Sequence, residues 1–268
     1  MSDIQIIPRP SEERGNADLG WVKSFQTFSV AMYQDYRHER HGCLRVMNED
    51  RVNAHTGFGT HSHKEFEIFS YVVDGELEHE DSMGNTEVLP RGSIQLTSAG
   101  TGISHSERAH GDKDVHFMQI WTFPSVPRLK PKYFTRLFTD EDKADKWARV
   151  VAPVDSEGVK KDLRDGTAVD GPTPLQSPMT LYASIISEGK KLTQKMKGTK
   201  GYFHVIMRSG YNVGKAKGAT VKISGGTGGE VTLREGDGAY LQVKPGSEFV
   251  VENVGDRKVE VLLFDDLE

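Results

Sequence analysis

The chain has 268 residues, with 39 acidic and 34 basic side chains, a net charge of −5 and an isoelectric point near 6.1. This acidic balance excludes a global positive field for nucleic acid phosphates, so we expect no direct nucleic acid partner. A single cysteine, Cys43, excludes an intrachain disulfide and fits a reducing compartment. No apolar run approaches the ~20 residues of a membrane span, and residues 1–5 lack a secretory signal. We therefore expect a cytoplasmic protein, or a nuclear one in a eukaryote, with no membrane partner.

The first half of the chain predicts antiparallel β-strands joined by tight turns. β-branched and aromatic residues fill 68–73, and an Asp-Gly turn at 74–75 leads to a second alternating run at 76–79. Glycine and proline mark further turns within 82–92. Short strands with frequent turns are typical of an all-β domain with few short helices.

Two pairs of potential metal ligands flank this series of strands. His61 and His63 come before it, and His105 and Glu107 come after it. Residues i and i+2 of a strand project from the same face, so three imidazoles and one carboxylate can point inward together. A nitrogen and oxygen set of this kind suits a divalent first-row transition metal, and it accepts iron, nickel, copper, manganese, cobalt or zinc.

The remaining elements follow in chain order. Residues 115–121 predict a strand whose Gln119 face looks into the domain, whereas His79 lies outside the ligand pattern. The acidic segment 139–147 predicts one short helix. The glycine- and proline-rich segment 155–178 predicts an exposed loop.

The sequence around the histidines makes the pattern specific, because an isolated pair is common in solvated loops. Glu67 follows His63 at the spacing of the first cupin signature, and segment 84–92 matches the second signature up to its last glycine, with His105 following later. Longer segments, LRVMNED, GFGTHSH, YVVDGELEHEDSMGN and SAGTGISHSE, resemble the pirin family of the cupin superfamily. The family commonly has histidine where Gln26 stands and proline where Ser62 stands, and neither departure removes a ligand.

This resemblance and the strand spacing imply two cupin (jelly-roll) β-barrels packed face to face. We expect a metal-binding barrel at 1–138 and a degenerate barrel at 139–268. In the second half, Gly189 and five further residues lead to Lys195-x-Lys197, with lysine at both histidine positions. Two ammonium groups cannot replace two neutral imidazoles, so we expect no metal in the second barrel.

The resemblance further implies iron(II) held by His61, His63, His105 and Glu107, and quercetin 2,3-dioxygenase activity. In that reaction a flavonol and dioxygen are the substrates, and the heterocyclic ring opens with loss of carbon monoxide. A base must take the proton of the 3-hydroxyl group. Glu107 and Glu67 are the two candidates for this base.

Other functions stay open at this point, because nothing in the sequence specifies a flavonol. Pirin-like proteins also resemble nuclear cofactors that bind protein partners in a metal- and redox-dependent way, with little or no catalysis. A catalytically idle cupin that retains a structural metal is a third interpretation. For each of these interpretations we expect a monomer.

Overall fold

The structure is a computed structural model that describes residues 3–161, 171–226 and 229–268. Within these ranges the chain forms 22 strands, one α-helix, α1 (Asp140–Lys143), and two 3₁₀ turns. The predicted all-β class with few short helices is confirmed, and the predicted helix is shorter than its acidic segment. None of these helices has the length and hydropathy that a membrane span requires.

The strands are numbered in chain order. The first twelve are β1 (Ile4–Arg9), β2 (Gly15–Asp18), β3 (Val22–Gln26), β4 (Leu44–Val52), β5 (Gly57–His63), β6 (Glu67–Asp74), β7 (Glu76–Asp81), β8 (Thr86–Pro90), β9 (Ser93–Ser98), β10 (Ile103–Ala109), β11 (Val115–Thr122) and β12 (Lys132–Leu137). The others are β13 (Ala148–Pro153), β14 (Thr173–Leu175), β15 (Thr180–Ile186), β16 (Lys191–Lys195), β17 (Lys200–Val205), β18 (Lys217–Gly225), β19 (Glu230–Glu235), β20 (Gly238–Val243), β21 (Glu248–Asn253) and β22 (Val259–Asp265).

The chain divides into two compact units. The N-terminal unit comprises Gly15–Thr139 and Ala152–Ser177, and the C-terminal unit comprises Met1–Arg14, Asp140–Val151 and Pro178–Glu268. The prediction was a single boundary between residues 138 and 139. In the structure, Met1–Arg14 belongs to the C-terminal unit and Ala152–Ser177 belongs to the N-terminal unit, so each unit contains separate stretches of the chain. The face-to-face packing of the two units stays a prediction.

The first strand of the chain belongs to the C-terminal unit. β1 pairs antiparallel with β20, with Ile4 opposite Val243 and Arg9 opposite Gly238. The Ile4 side chain is fully buried in the apolar core of that unit. Such a pairing joins residues far apart in sequence, so the local pattern of the first residues carries no sign of it.

The predicted exposed loop at 155–178 also differs from the structure. Thr173–Leu175 forms the strand β14, and both of its end residues are fully buried. The backbone N–H of Val154 donates to the Leu175 carbonyl at 2.8 Å. Residues 162–170 of the predicted loop lie outside the described residues.

Two antiparallel sheets build the N-terminal unit. One has the strand order β12-β9-β6-β11-β4-β3-β2, and the other has the order β5-β10-β7-β8. Val72, Val115 and Phe117 of the first sheet pack against Leu77 and Ala109 of the second. In the described residues the two sheets have separate ladders of backbone hydrogen bonds, so the predicted barrel is a two-sheet sandwich.

The C-terminal unit repeats this two-sheet arrangement. One sheet contains β1-β20-β17-β22-β15-β13, and the other has the order β16-β21-β18-β19. The described core between them is apolar and includes Phe203 and Leu263 from the first sheet and Val221 and Phe249 from the second.

Candidate metal centre

Three imidazoles meet on the inner face of the four-stranded sheet. His105 of β10 lies directly opposite His61 of β5, and His63 opposite Ile103 comes next on that face. The ring centroids are 4.6 Å apart for His61 and His105, 4.7 Å for His61 and His63, and 4.9 Å for His63 and His105. The structure therefore brings together the three histidines selected from the sequence.

A β-bulge in β5 sets the direction of His61. The register shifts between the His105–His61 pair and the Glu107–Phe58 pair, which leaves one unmatched residue in β5. The Nδ1–H of His61 donates to the carbonyl of Gly59 at 2.8 Å, so its lone pair is on Nε2. This hydrogen bond orients Nε2 as the ligating atom of His61.

Glu107 is buried between the two sheets and is held from the opposite sheet. The Ser70 hydroxyl donates to Oε1 at 2.9 Å, and Gln119 Nε2 donates to Oε2 at 2.7 Å. The Ser70 oxygen also lies 2.7 Å from Gln119 Oε1, although its single proton can serve only one of the two acceptors. The predicted inward face of β11 is confirmed, because Trp121 on that face also contacts His63 at 4.8 Å.

His79 is the member of this cluster that sequence reasoning missed. It lies on β7 directly opposite Glu107 and is fully buried, with its ring 5.3 Å from that of His105. Ligand atoms of His79, His105 and Glu107 lie within 4.8 Å of one another, and so do those of His61, His63 and His105. The available signal was alternation, since Leu77 on the same strand face is a core residue.

The unpartnered nitrogens in the cluster fit a divalent transition metal. His63 Nε2, both ring nitrogens of His105 and His79 Nδ1 are buried without a hydrogen-bond partner, which is costly unless a ligand occupies them. Burial, then the neighbouring His105 and His61, lower the pKa of His63 to about 4. Burial also lowers the pKa of His105. These lowered pKa values favour neutral His63 and His105 side chains, which is the form that binds a metal.

Glu67 lies on the other face of its sheet. Ser70 of β6 points inward to Glu107, and strand alternation places Glu67, three residues earlier, on the opposite face. There its Oε2 accepts hydrogen bonds from the Ser98 hydroxyl at 2.9 Å and from the Gln176 N–H at 3.1 Å. The prediction that Glu67 is a candidate base beside the metal is therefore wrong, because Glu67 and Ser70 lie on opposite faces of β6.

The buried Glu67 gives the first testable prediction. Burial raises the pKa of its carboxyl group to about 7, against hydrogen bonds from Gln176 and Ser98 that lower it. The folded protein then retains a proton that the unfolded chain loses, so this group makes stability fall as pH rises between about 4.5 and about 7.

Glu67→Gln should remove that pH dependence, because glutamine cannot ionise. From about pH 5 to about pH 8, the unfolding free energy of the wild type should fall by about 2–3 kcal/mol more than that of the variant. Urea unfolding at the two pH values measures this difference. Parallel pH profiles for the two proteins would contradict it.

Comparison with known proteins agrees with this geometry. A model of the pirin family matches residues 9–122. The quercetin 2,3-dioxygenase of Escherichia coli K12 is 34% identical over 216 residues, which cover 80% of this chain and 87% of that protein. The chain belongs to the pirin family.

Solved structures of pirins share the fold described above. The bacterial pirin YhhW from Escherichia coli, in complex with nickel(II), is 32% identical to this pirin-family chain, with a TM-score of 0.78. The match covers 98% of this chain and 99% of that one. A quercetin 2,3-dioxygenase from Acinetobacter baumannii, at 17% identity and a TM-score of 0.63, matches over 98% of this chain and 79% of that one and shows the fold alone.

The metal content of the protein is the second testable prediction. Both ligand groups found in the described ranges lie in the N-terminal unit, and Lys195 and Lys197 of the C-terminal unit are exposed. Elemental analysis of purified protein should give about one transition-metal ion per chain, because those lysines stand where a second site needs imidazoles. About two ions, with one in the C-terminal unit, would contradict this.

Proposed function

We propose that this chain is a mononuclear metal-dependent dioxygenase that opens the heterocyclic ring of a flavonol, with iron(II) as its metal. The observation that carries the proposal is the cluster of three imidazoles beside a carboxylate, in which His63 and His105 have buried nitrogens without a partner. Relatives of this chain that are named quercetin 2,3-dioxygenase support the choice of reaction.

The proposed ligands are His61, His63, His105 and Glu107. Four protein ligands leave one or two positions of a five- or six-coordinate ion for substrate, whereas structural zinc sites are usually closed. When bound, the metal supplies Lewis-acid polarisation of the flavonol oxygens and a template that holds the reactants together.

Glu107 is the proposed base for the 3-hydroxyl proton. When its Oε1 takes that proton, the Ser70 hydroxyl can turn to Gln119 Oε1, which lies 2.7 Å away, and accept a hydrogen bond from the new acid. Gln119 Nε2 continues to donate to the other carboxyl oxygen. Glu107 can thus take up the proton, and none of the hydrogen-bonding atoms described for Glu107, Ser70 and Gln119 loses its partner.

The apolar wall beside His63 suits an aromatic substrate. The Trp121 ring contacts His63 edge-on at 4.8 Å and packs against Phe66 at 5.4 Å. Ile68 and Ile103 complete this cluster from the two facing sheets. A flat aromatic ring system that binds here would replace water next to the imidazoles and gain contact with hydrocarbon.

Oxygen consumption with a flavonol tests the proposal. Protein loaded anaerobically with iron(II) is mixed with quercetin, dioxygen is admitted, and oxygen uptake, carbon monoxide and flavonol absorbance are followed. We expect equal amounts of dioxygen consumed, carbon monoxide released and flavonol lost, with none in chelator-treated protein.

Absence of turnover in metal-replete protein would overturn the proposal, as would oxygen uptake without carbon monoxide. Binding of a protein partner that depends on the metal state, in a chain without turnover, would favour the regulatory function instead.

A further inference from the structure

We propose that His79, His105 and Glu107 form a second, deeper position for the metal ion. This inference rests on the proposed function only for the presence of a metal. The three ligand atoms lie within 4.8 Å of one another, and at most 1% of each residue is exposed. Two imidazoles and one carboxylate are the set that non-haem iron commonly uses.

The Glu107 carboxylate forms a compact group with His79 and His105, whereas no compact group among the described residues contains all four ligands of the proposed function. The first group contains three imidazoles and no carboxylate, and the second joins Glu107 to His79 and His105. Each carboxylate oxygen of Glu107 accepts one described hydrogen bond, and a second lone pair on each remains for a metal. Glu107 can therefore bind an ion in the deeper position without losing Ser70 or Gln119.

His79 has the surroundings of a metal-ligating histidine. Its Nε2 lies 3.4 Å from Asp81 Oδ2, so the ring proton faces this carboxylate and the lone pair is on the buried, unpartnered Nδ1. Asp81 is itself fixed by Asn85 Nδ2 at 2.6 Å and the Met83 N–H at 2.8 Å. A carboxylate behind the second nitrogen is the usual outer partner of a ligating imidazole.

The aromatic neighbour of His79 holds its ring in place. The Tyr133 ring stacks on it at 5.0 Å, and the Tyr133 hydroxyl donates to Glu87 Oε2 at 3.0 Å. An imidazole held on one edge by Asp81 and on one face by Tyr133 needs little reorganisation to bind an ion. Such preorganisation reduces the entropy lost on binding.

Charge distinguishes the two positions. A buried divalent cation needs nearby negative charge, because its desolvation is costly. The side chains of His61, His63 and His105 bring no negative charge, whereas Glu107 and Asp81 place two carboxylates around the deeper position. The two positions share His105, so they hold one ion at a time, and the content of about one ion per chain is retained.

A variant without the outer imidazoles tests the deeper position directly. His61→Ala/His63→Ala changes two partly exposed residues of the edge strand β5 and removes no fully buried side chain. We expect this variant to bind about one cobalt(II) per chain, more weakly than the wild type, by calorimetry and visible absorption. His61→Gln/His63→Gln, which keeps side-chain volume, is the second version should the alanine variant not fold.

His79→Ala added to that variant should remove cobalt(II) binding, with at least about a 100-fold loss of affinity. His110→Ala is the matched control, because His110 bonds to Glu78 at the partly exposed end of the same sheet. Folding of every variant is checked by circular dichroism. A folded double variant that binds no cobalt(II) would overturn the inference, and so would binding that survives His79→Ala.

Failure of this inference is distinguishable from failure of the proposed function. The titration uses neither flavonol nor dioxygen. If the wild type cleaves the flavonol but the double variant binds no cobalt(II), only the deeper position is wrong. If the double variant binds cobalt(II) through His79 but the wild type does not turn over, only the proposed reaction is wrong.

Discussion

Replacement of His63 by alanine is expected to weaken metal binding and to lower turnover, with any remaining ion held by His79, His105 and Glu107. His63 Nε2 is a buried nitrogen without a partner, and the ring packs against both His61 and His105. Loss of an outer partner of a metal ligand already costs about 10–100-fold in metal affinity, so loss of a direct ligand should exceed this. Iron retained after dialysis should fall well below that of the wild type, and flavonol turnover should fall with it.

Elemental analysis and oxygen uptake on the same dialysed samples measure the two effects. His110→Ala is the control, since His110 lies outside the cluster and bonds to Glu78 at 2.8 Å. Without metal, the His63→Ala and His110→Ala variants should have the same thermal midpoint. Wild-type metal occupancy in His63→Ala would show that the ligand assignment is wrong, and the proposed mechanism would fail with it.

Glu107→Gln is expected to lower turnover by about 10²–10⁴-fold even at saturating metal, the range found for loss of a general base. Glutamine can keep hydrogen bonds with Ser70 and Gln119, but it cannot accept the substrate proton. Turnover per bound metal ion is therefore the quantity to measure. A weaker metal affinity is also expected, because an amide oxygen is a poorer ligand than a carboxylate.

Glu67→Gln is the matched comparison for this experiment, since both carboxyl groups are buried and only one faces the imidazoles. Its turnover per metal ion should stay within about twofold of the wild type, because Glu67 is not a base in this mechanism. If Glu67→Gln lost turnover while Glu107→Gln retained it, Glu67 would be the base and our assignment would be wrong.

Local periodicity in the sequence was sufficient to predict many of the strands and the direction of several side chains in the site. The i and i+2 spacing placed His61 with His63, and the glycine and proline turns indicated strands that the structure contains. The inward face of β11 followed from the same alternation. These features depend only on neighbouring residues, so the sequence states them directly.

The features that were missed depend on how separate strands meet. His79 joins the cluster because β7 pairs with β10 in a register that sets it opposite Glu107. Glu67 faces away from the imidazoles because Ile68 and Val72 pack in the core, and strand alternation then places Glu67 on the other face of β6. β5 and β10 also approach closely beside the bulge, since a Cβ on Gly57 would collide with the Glu107 carbonyl. No single segment carries that information.

The pairing of β1 with β20 has a consequence for how the protein is made. Ile4 is synthesised long before its partner Val243. The C-terminal unit therefore cannot complete its sheet until β20 has been synthesised, and β1 stays without its strand neighbour until then. Deletion of the first strand would leave β20 with an open edge, and such edges recruit strands from other molecules. Loss of β1 would thus promote aggregation through β20, a strand far from it in sequence.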